Sequence, residues 1–379
     1  MQLYPFAPPP YDPLQQTIDR LRLELQGLFQ VNDVRAGGRD DTITFTGRYL
    51  HDGHSAYEEI QARFQQHGYT PLLRRRRNYD QLLALKGVLD RGKTGNPLVN
   101  LLLLVVTILT TLAAGASMNG SDGLFRALMQ GDTASALAAA RSGAPFAATL
   151  LGILGVHELG HYVAARWHGV SATLPYFIPM PVGGLGTLGA FIALRSPMKN
   201  RTVLFDVGLA GPIAGFLVAL PLLVVGLLLS EPVPFYMRGL TLRTLGSSLL
   251  VDAVTAVTVT LPAGRTLALH PIYFAAWLGV LITGINLLPI GQLDGGHVAY
   301  ALLGRSAHQV ARGTLVLLLV AGFTLSSTWL LWALFVLFAG LHHPPPLNDI
   351  TGLNRPRQIA GVLTVLLFFV ILTPIPFHT

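Results

Sequence analysis

Residues 157–161 read His-Glu-Leu-Gly-His. On a helix, positions i and i+4 share one face, so both imidazoles can reach a single metal ion. The glutamate between them is placed to take a proton from water beside that ion. The pentad lies within 144–165, one of the most apolar stretches of the chain. An ionised group at the centre of a bilayer costs about 2.5–3.5 kcal/mol or more, so a glutamate there points to function. His157 and His161 are therefore candidate metal ligands and Glu158 a candidate general base, the equipment of zinc-assisted hydrolysis inside lipid. The 379 residues include no cysteine, which excludes disulfides and thiolate sites and leaves histidine and carboxylate as ligands.

Such a site takes three protein ligands and keeps one position open. The leading candidate for the third is Asp294, within the loop 286–296, Asn-Leu-Leu-Pro-Ile-Gly-Gln-Leu-Asp-Gly-Gly. Pro289, Gly291 and the pair Gly295 and Gly296 break a helix there, and unwound backbone at membrane depth is tolerated where it lines a polar cavity. Aspartate also caps helices, which is the plainer role for Asp294. Competing carboxylates at this depth are few: Asp206 enters another apolar run, and Asp252 falls on the far side.

These residues need a frame that brings them to one depth. Hydrophobic residues make up 51% of the chain and charged ones 12%, against about 25% charged in a soluble domain, so the chain is an integral, multi-pass membrane protein. The net charge of +7 does not imply nucleic acid. Its densest basic run, Arg74 to Arg77, lies about twenty residues before the first apolar run and reads as a membrane-proximal topology signal. Residues 1–93 carry thirteen of the 26 basic residues and no stretch long enough to span. Helical spacing over 11–30 (Leu14, Ile18, Leu21, Leu25) and over 56–67, with strands at 31–35, 42–50, 70–75 and 81–86 and a turn at 37–40, predicts a small α+β cytosolic domain. No catalytic set is visible in it, and His51, His54 and His67 read as loop or surface histidines. Residues 1–6 lack the basic start and apolar core of a signal peptide, so no leader is expected.

Residues 94–379 form the membrane domain, with seven candidate spans at 97–116, 146–168, 202–229, 270–288, 312–325, 328–342 and 358–374. The fifth and sixth are short for a bilayer that needs about 20 residues, and 326–328 is either a tight turn between two helices or a kink in one. The predicted fold is an all-α polytopic membrane protein of about six or seven transmembrane helices, preceded by the α+β domain. With the N-terminus inside, 21 Lys and Arg fall on the cytoplasmic side and 5 outside, as the positive-inside rule requires. The metal helix, 146–168, then runs from outside to inside, with His161 about 7–8 Å below the cytoplasmic boundary. Gly183, Gly184, Gly186 and Gly189 make no phosphate loop, because no Lys-Ser/Thr follows; a re-entrant loop or hairpin beside the metal helix is expected instead. A substrate must be extended to be cut, since a helix hides its carbonyls, and 190–194 offers a strand edge to hold it open. Gly211 and Gly215 read as close helix packing, and His168 and His297 as structural histidines or groups that orient a ligand.

The pairing of HELGH with a downstream N-x-x-P-x-x-x-L-D-G-G resembles the site-2 protease family of intramembrane zinc metalloproteases. Phe177-Ile-Pro-Met-Pro, Gly211-Pro-Ile-Ala-Gly and His343-Pro-Pro-Pro-Leu-Asn-Asp agree with it, and the Gly-Thr-Leu-Gly-Ala loop is similar to the cyanobacterial and plastid branch. The likeness covers 145–300 and 340–357, leaving out the N-terminal domain and the first span. It implies one Zn²⁺ per chain on His157, His161 and Asp294, with Glu158 as base and Asn286 donating to the developing oxyanion. It also implies peptide-bond hydrolysis in or near the transmembrane segments of single-span membrane proteins. Two rivals come from other classes. A metal-ion transporter should carry ligands on several spans, whereas here they concentrate in one helix and one loop; a catalytically inactive membrane scaffold has no need of Glu158. The expected residence is a prokaryotic cytoplasmic membrane with the N-terminal domain in the cytosol; oligomeric state is not legible.

Overall fold

The computed structural model describes residues 12–37, 42–51, 54–76, 78–88, 95–121, 123–181, 184–236, 241–242 and 244–376. Residues 1–6, most of the expected turn at 37–40, Arg77, Gly183, Arg238 and Arg243 fall outside them. The chain divides into two compact units: Met1–Arg91 with Pro197–Arg201 and Pro345–Gly352, and a second made of the remainder.

The first unit runs α1 (Pro13–Glu24), β1 (Phe29–Ala36), β2 (Ile43–Tyr49), α2 (His54–Gln66), β3 (Tyr69–Arg75) and β4 (Asp80–Lys86). The Asp12 side chain accepts from the Leu14 N–H, and Pro13 opens α1, where its missing N–H costs nothing. The strands form an antiparallel sheet in the order β1-β2-β4-β3. Every second residue of β2 and β4 is buried, the period of a sheet with one covered face, and Leu21, Leu25, Ile60 and Phe64 of the helical segments pack on Phe45 and Leu82. Burial pushes the Tyr57 phenol above its ordinary value while its hydroxyl donates to the Pro71 carbonyl.

Distant segments complete this unit. The Leu73 N–H donates to the Leu347 carbonyl at 2.8 Å, and the Asp349 N–H donates to the Leu73 carbonyl at 3.0 Å, so 347–349 runs parallel to β3. Arg74 donates to the Pro346 and Leu347 carbonyls, Leu347 enters the core, and Arg201 pairs with Asp349 at 3.0 Å.

The second unit carries α3 (Pro97–Met118), α4 (Leu124–Gln130), α5 (Thr133–Trp167), β5 (Tyr176–Pro179), β6 (Thr187–Phe191), α6 (Arg201–Leu228), β7 (Glu231–Pro234), α7 (Leu249–Thr258), β8 (Arg265–Ala268), α8 (Pro271–Asn286), α9 (Asp294–Leu303), α10 (Ala307–Thr324), α11 (Thr328–Ala339) and α12 (Arg355–Ile371). Among the described residues four helices, not six or seven, are long and apolar enough to cross a membrane: α3, α5, α6 and the helical stretch Asp294–Thr324. The expectation counted each apolar run as one crossing, but α8 has 16 residues, α11 has 12 and α12 has 17, where about 20 are needed. The chain over 312–342 forms two helices, because α10 stops at Thr324 and α11 starts at Thr328. At 35 residues α5 begins well before the expected 146, running through Pro145. Short α8 lies in the core, with Tyr273 and Trp277 at 1% exposure and Phe274 stacked between Phe146 and Trp277.

Two devices locate the elements around the site. The β5–β6 hairpin is held to α3 by Asn100, which donates to the Leu174 and Pro175 carbonyls, and by Thr110, which donates to the Gly186 carbonyl. At the end of α5, His168 meets Asp206 of α6 at 2.9 Å, and Arg357 of α12 holds the same carboxylate through two bonds of 2.7 Å. One carboxylate thus ties three helices.

Candidate metal centre

His157, Glu158 and His161 are 5–7% exposed on α5, where Ile153 and Leu154 continue the buried face. Asp294 is the first residue of α9, where a carboxylate is favoured by the helix dipole. It caps nothing; its oxygens lie 3.2 Å from His157 Nε2 and 3.2 Å from His161 Nε2. The two Nε2 atoms are 3.1 Å apart. Ligands about 2.0–2.1 Å from one ion at tetrahedral angles stand about 3.3–3.4 Å from each other, so the three donors are spaced as zinc requires. Among the described residues this is the one group of three or more such side chains whose donor atoms all lie within 4.8 Å of one another.

A second observation supports the fit. His161 Nδ1 lies 2.7 Å from the Val207 carbonyl of α6. A carbonyl can only accept, so Nδ1 carries the proton and the Nε2 lone pair is left facing the other donors. Glycines of α6 make room for these rings. A Cβ on Gly211 would stand 2.1 Å from His161 Nε2, and one on Gly215 would stand 3.1 Å from His157 Cβ. The expectation of close packing at Gly211 and Gly215 holds, but what packs there is imidazole.

Glu158, His157, His161, Asp294 and Asn286 line one cavity of about 210 Å³, joined by Val207, Gln292, His297 and residues 190–192 and 194. Ile192, just past β6, faces the same cavity as the Glu158 carboxylate. Asn286 is the last residue of α8, brought to the cavity as the helix unwinds. In the loop that follows, Gly291 adopts φ +52° with the Gly340 carbonyl where a Cβ would be. Of the two further histidines, His168 points into the Asp206 pair and His297 lines the cavity. Sequence reasoning missed Val207, whose contribution is a backbone carbonyl, and Gln292. It also missed His343, which meets His297 at 2.5 Å. The stretch His343-Pro-Pro-Pro-Leu-Asn-Asp was legible as family-like, without a role for its histidine.

Residues 145–326 match the profile of peptidase family M50. The chain is 34% identical over 241 residues to "Probable zinc metalloprotease EGY1, chloroplastic" of Oryza sativa subsp. japonica, covering 62% of this chain and 41% of that protein. It is 30% identical over 242 residues to "Probable zinc metalloprotease EGY2, chloroplastic" of Arabidopsis thaliana, covering 62% and 43%. "Probable zinc metallopeptidase EGY3, chloroplastic" of Arabidopsis thaliana is 30% identical over 246 residues, covering 61% and 42%. The aligned part spans about two-fifths of the length of these relatives. No solved structure matches the chain.

Proposed function

We propose, for a chain whose residues 145–326 belong to peptidase family M50, the site-2 protease family, that it is an intramembrane zinc metalloprotease acting on membrane-protein substrates. One observation carries this reading: three donors spaced for zinc share a buried cavity with a glutamate on a helix of membrane-spanning length. An ion held by His157, His161 and Asp294 supplies Lewis acidity toward a peptide carbonyl and toward water. Glu158 takes the proton of the attacking water and returns it to the amide nitrogen as the C–N bond breaks. The Asn286 amide donates to the developing oxyanion, a contact worth about 2.7–4 kcal/mol in comparable sites. Residues 190–192 and 194, the strand edge we propose receives the peptide, line the cavity beside Glu158.

The substrates we propose are single-span proteins, cut in or near the transmembrane segment after it is drawn out along 190–194. Residues 1–93 we place in the cytosol as a separate domain, and 94–379 we assign to the protease. A prokaryotic cytoplasmic membrane is our proposal for its residence, while the relatives are named as chloroplastic. Fractionation of the source cells tests that placement.

The decisive experiment compares wild type with Glu158→Gln, purified with lipid. Both should bind one zinc per chain, and cleavage of a panel of single-span substrates should fall by about 10²–10⁴ in the variant. Zinc flux into liposomes that is independent of Glu158 would install the transporter instead. Wild type that holds zinc and cuts nothing would leave a scaffold.

A further inference from the structure

His297 is the second histidine that the metal ligands bring with them, one turn beyond Asp294 on α9. It lines the metal cavity, and its Cβ lies against Gly208 of α6, where an added Cβ would stand 2.6 Å away. Its Nδ1 is committed to His343 Nε2 at 2.5 Å. His343 is 6% exposed, stacked on Tyr300 with ring centroids 4.9 Å apart, and its backbone carbonyl faces His308 Nε2 at 3.4 Å. Among the described residues His343 Nδ1 is the buried side-chain polar atom with no hydrogen-bond partner; the adjoining Pro344 carbonyl falls outside hydrogen-bonding geometry.

Two neutral imidazoles sharing one hydrogen bond have two arrangements. If His297 donates, His343 keeps a buried, unsatisfied N–H, and His297 turns a bare lone pair toward the cavity that holds the Asp294 carboxylate. If His343 donates, its orphan atom is only an unused acceptor, and the His297 proton sits on Nε2, the ring nitrogen left for the cavity. Orphaned buried N–H groups are rarer than unsatisfied acceptors, and a carboxylate nearby favours a proton over a lone pair. We propose that His297 is a further catalytic residue, an N–H donor to the carbonyl oxygen of the scissile bond, with His343 a positioning residue that fixes its tautomer and its ring. This rests on the protease reading. It would add to Asn286 a second side-chain donor lining the same cavity.

The full chain in lipid nanodiscs tests it in two ways. In metal-free protein carrying ¹⁵N-histidine, with the His297 signals identified by their absence in His297→Gln, Nδ1 should be unprotonated and Nε2 protonated; a protonated Nδ1 overturns the proposal. With metal, His297→Phe should lower kcat by about 10²–10³ while KM, zinc stoichiometry and the visible spectrum of the cobalt-substituted protein stay as in wild type. His343→Phe should lower kcat in the same direction, and His343→Gln, which keeps a side-chain N–H, should recover part of it. An unchanged kcat in His297→Phe overturns the proposal, and so does a changed cobalt spectrum, which would make His297 a support for the ligands. If wild type cuts no substrate, the protease reading fails and with it the donor role. The tautomer measurement still decides whether His343 sets the His297 proton.

Discussion

The metal ligands of α5 face α6 at glycines, and Gly211 is the tightest approach. A Cβ there would lie 2.1 Å from His161 Nε2 and 2.4 Å from its Cδ2, so the ring cannot stay where the Val207 carbonyl holds it. Gly215 is more forgiving, since its Cβ would meet His157 Nδ1 at 3.2 Å, and at Gly152, also on α5, an added Cβ meets nothing within 4 Å. Gly211→Ala should therefore weaken zinc binding by about 10–100-fold, the cost of displacing an orienting contact, as read by chelator competition. Gly152→Ala should leave zinc affinity alone, and equal affinity in all three proteins would refute the packing argument. In the sequence Gly211 and Gly215 carry the spacing of a helix-packing motif, and nothing there says what the partner is. His157, Glu158 and His161 were legible because one helix fixes their geometry. Asp294 was legible because two helix breakers and a glycine pair surround it. His343 depends on a fold that joins 297 to 343, and spacing alone does not encode that.

Among the elements, the segment after β6 stands between fold and function. The Thr173 N–H donates to the Ala193 carbonyl at 3.0 Å and the Arg195 N–H to the Ser171 carbonyl at 2.7 Å, so residues 193 and 195 bond toward 171–173. Strand alternation turns the backbone of Ile192 and Leu194 to the other edge, and both residues line the cavity that holds Glu158. The unpaired edge thus opens at the proposed base. Proline at Leu194 removes one outward donor without touching Glu158 or the ligands, and should lower cleavage about two- to tenfold, the value of one backbone hydrogen bond. Zinc content should not change. Full cleavage by Leu194→Pro would rule out strand addition on this edge. The hairpin was readable because prolines and glycines punctuate 175–194, whereas the helix count was not. Apolar runs announce burial, but α8 is apolar on every side because protein surrounds it, and composition cannot tell that from lipid.

At the scale of the molecule, the departure from sequence order is that the N-terminal unit does not end where its sequence pattern ends. Charge and strand periodicity outline residues 1–93, and the sheet is where they place it. Yet the flank of β3 is closed by 347–349, about 270 residues later, through backbone hydrogen bonds that leave no mark in residue type. The contribution can be estimated. Leu347 is 5% exposed among Leu73, Tyr57 and their neighbours, and burying a leucine is worth about 1.5–3 kcal/mol. Two backbone hydrogen bonds to Leu73 add about 0.5–1.5 kcal/mol each, and without the segment the buried Arg74 guanidinium loses two of its acceptors. A domain of this size has about 4–12 kcal/mol of stability, so the loss is a large share of it. A fragment of residues 12–91 should accordingly unfold at much lower urea than the same fragment joined through a flexible linker to residues 345–352. Leu347→Ala in the joined form should remove most of the gain. Addition of the 345–352 peptide in trans should raise the midpoint of the bare fragment in proportion to the logarithm of its concentration, since it binds only the folded sheet. A midpoint indifferent to the segment, joined or free, would make the N-terminal unit a self-sufficient domain, and residues 345–352 a passenger on its edge.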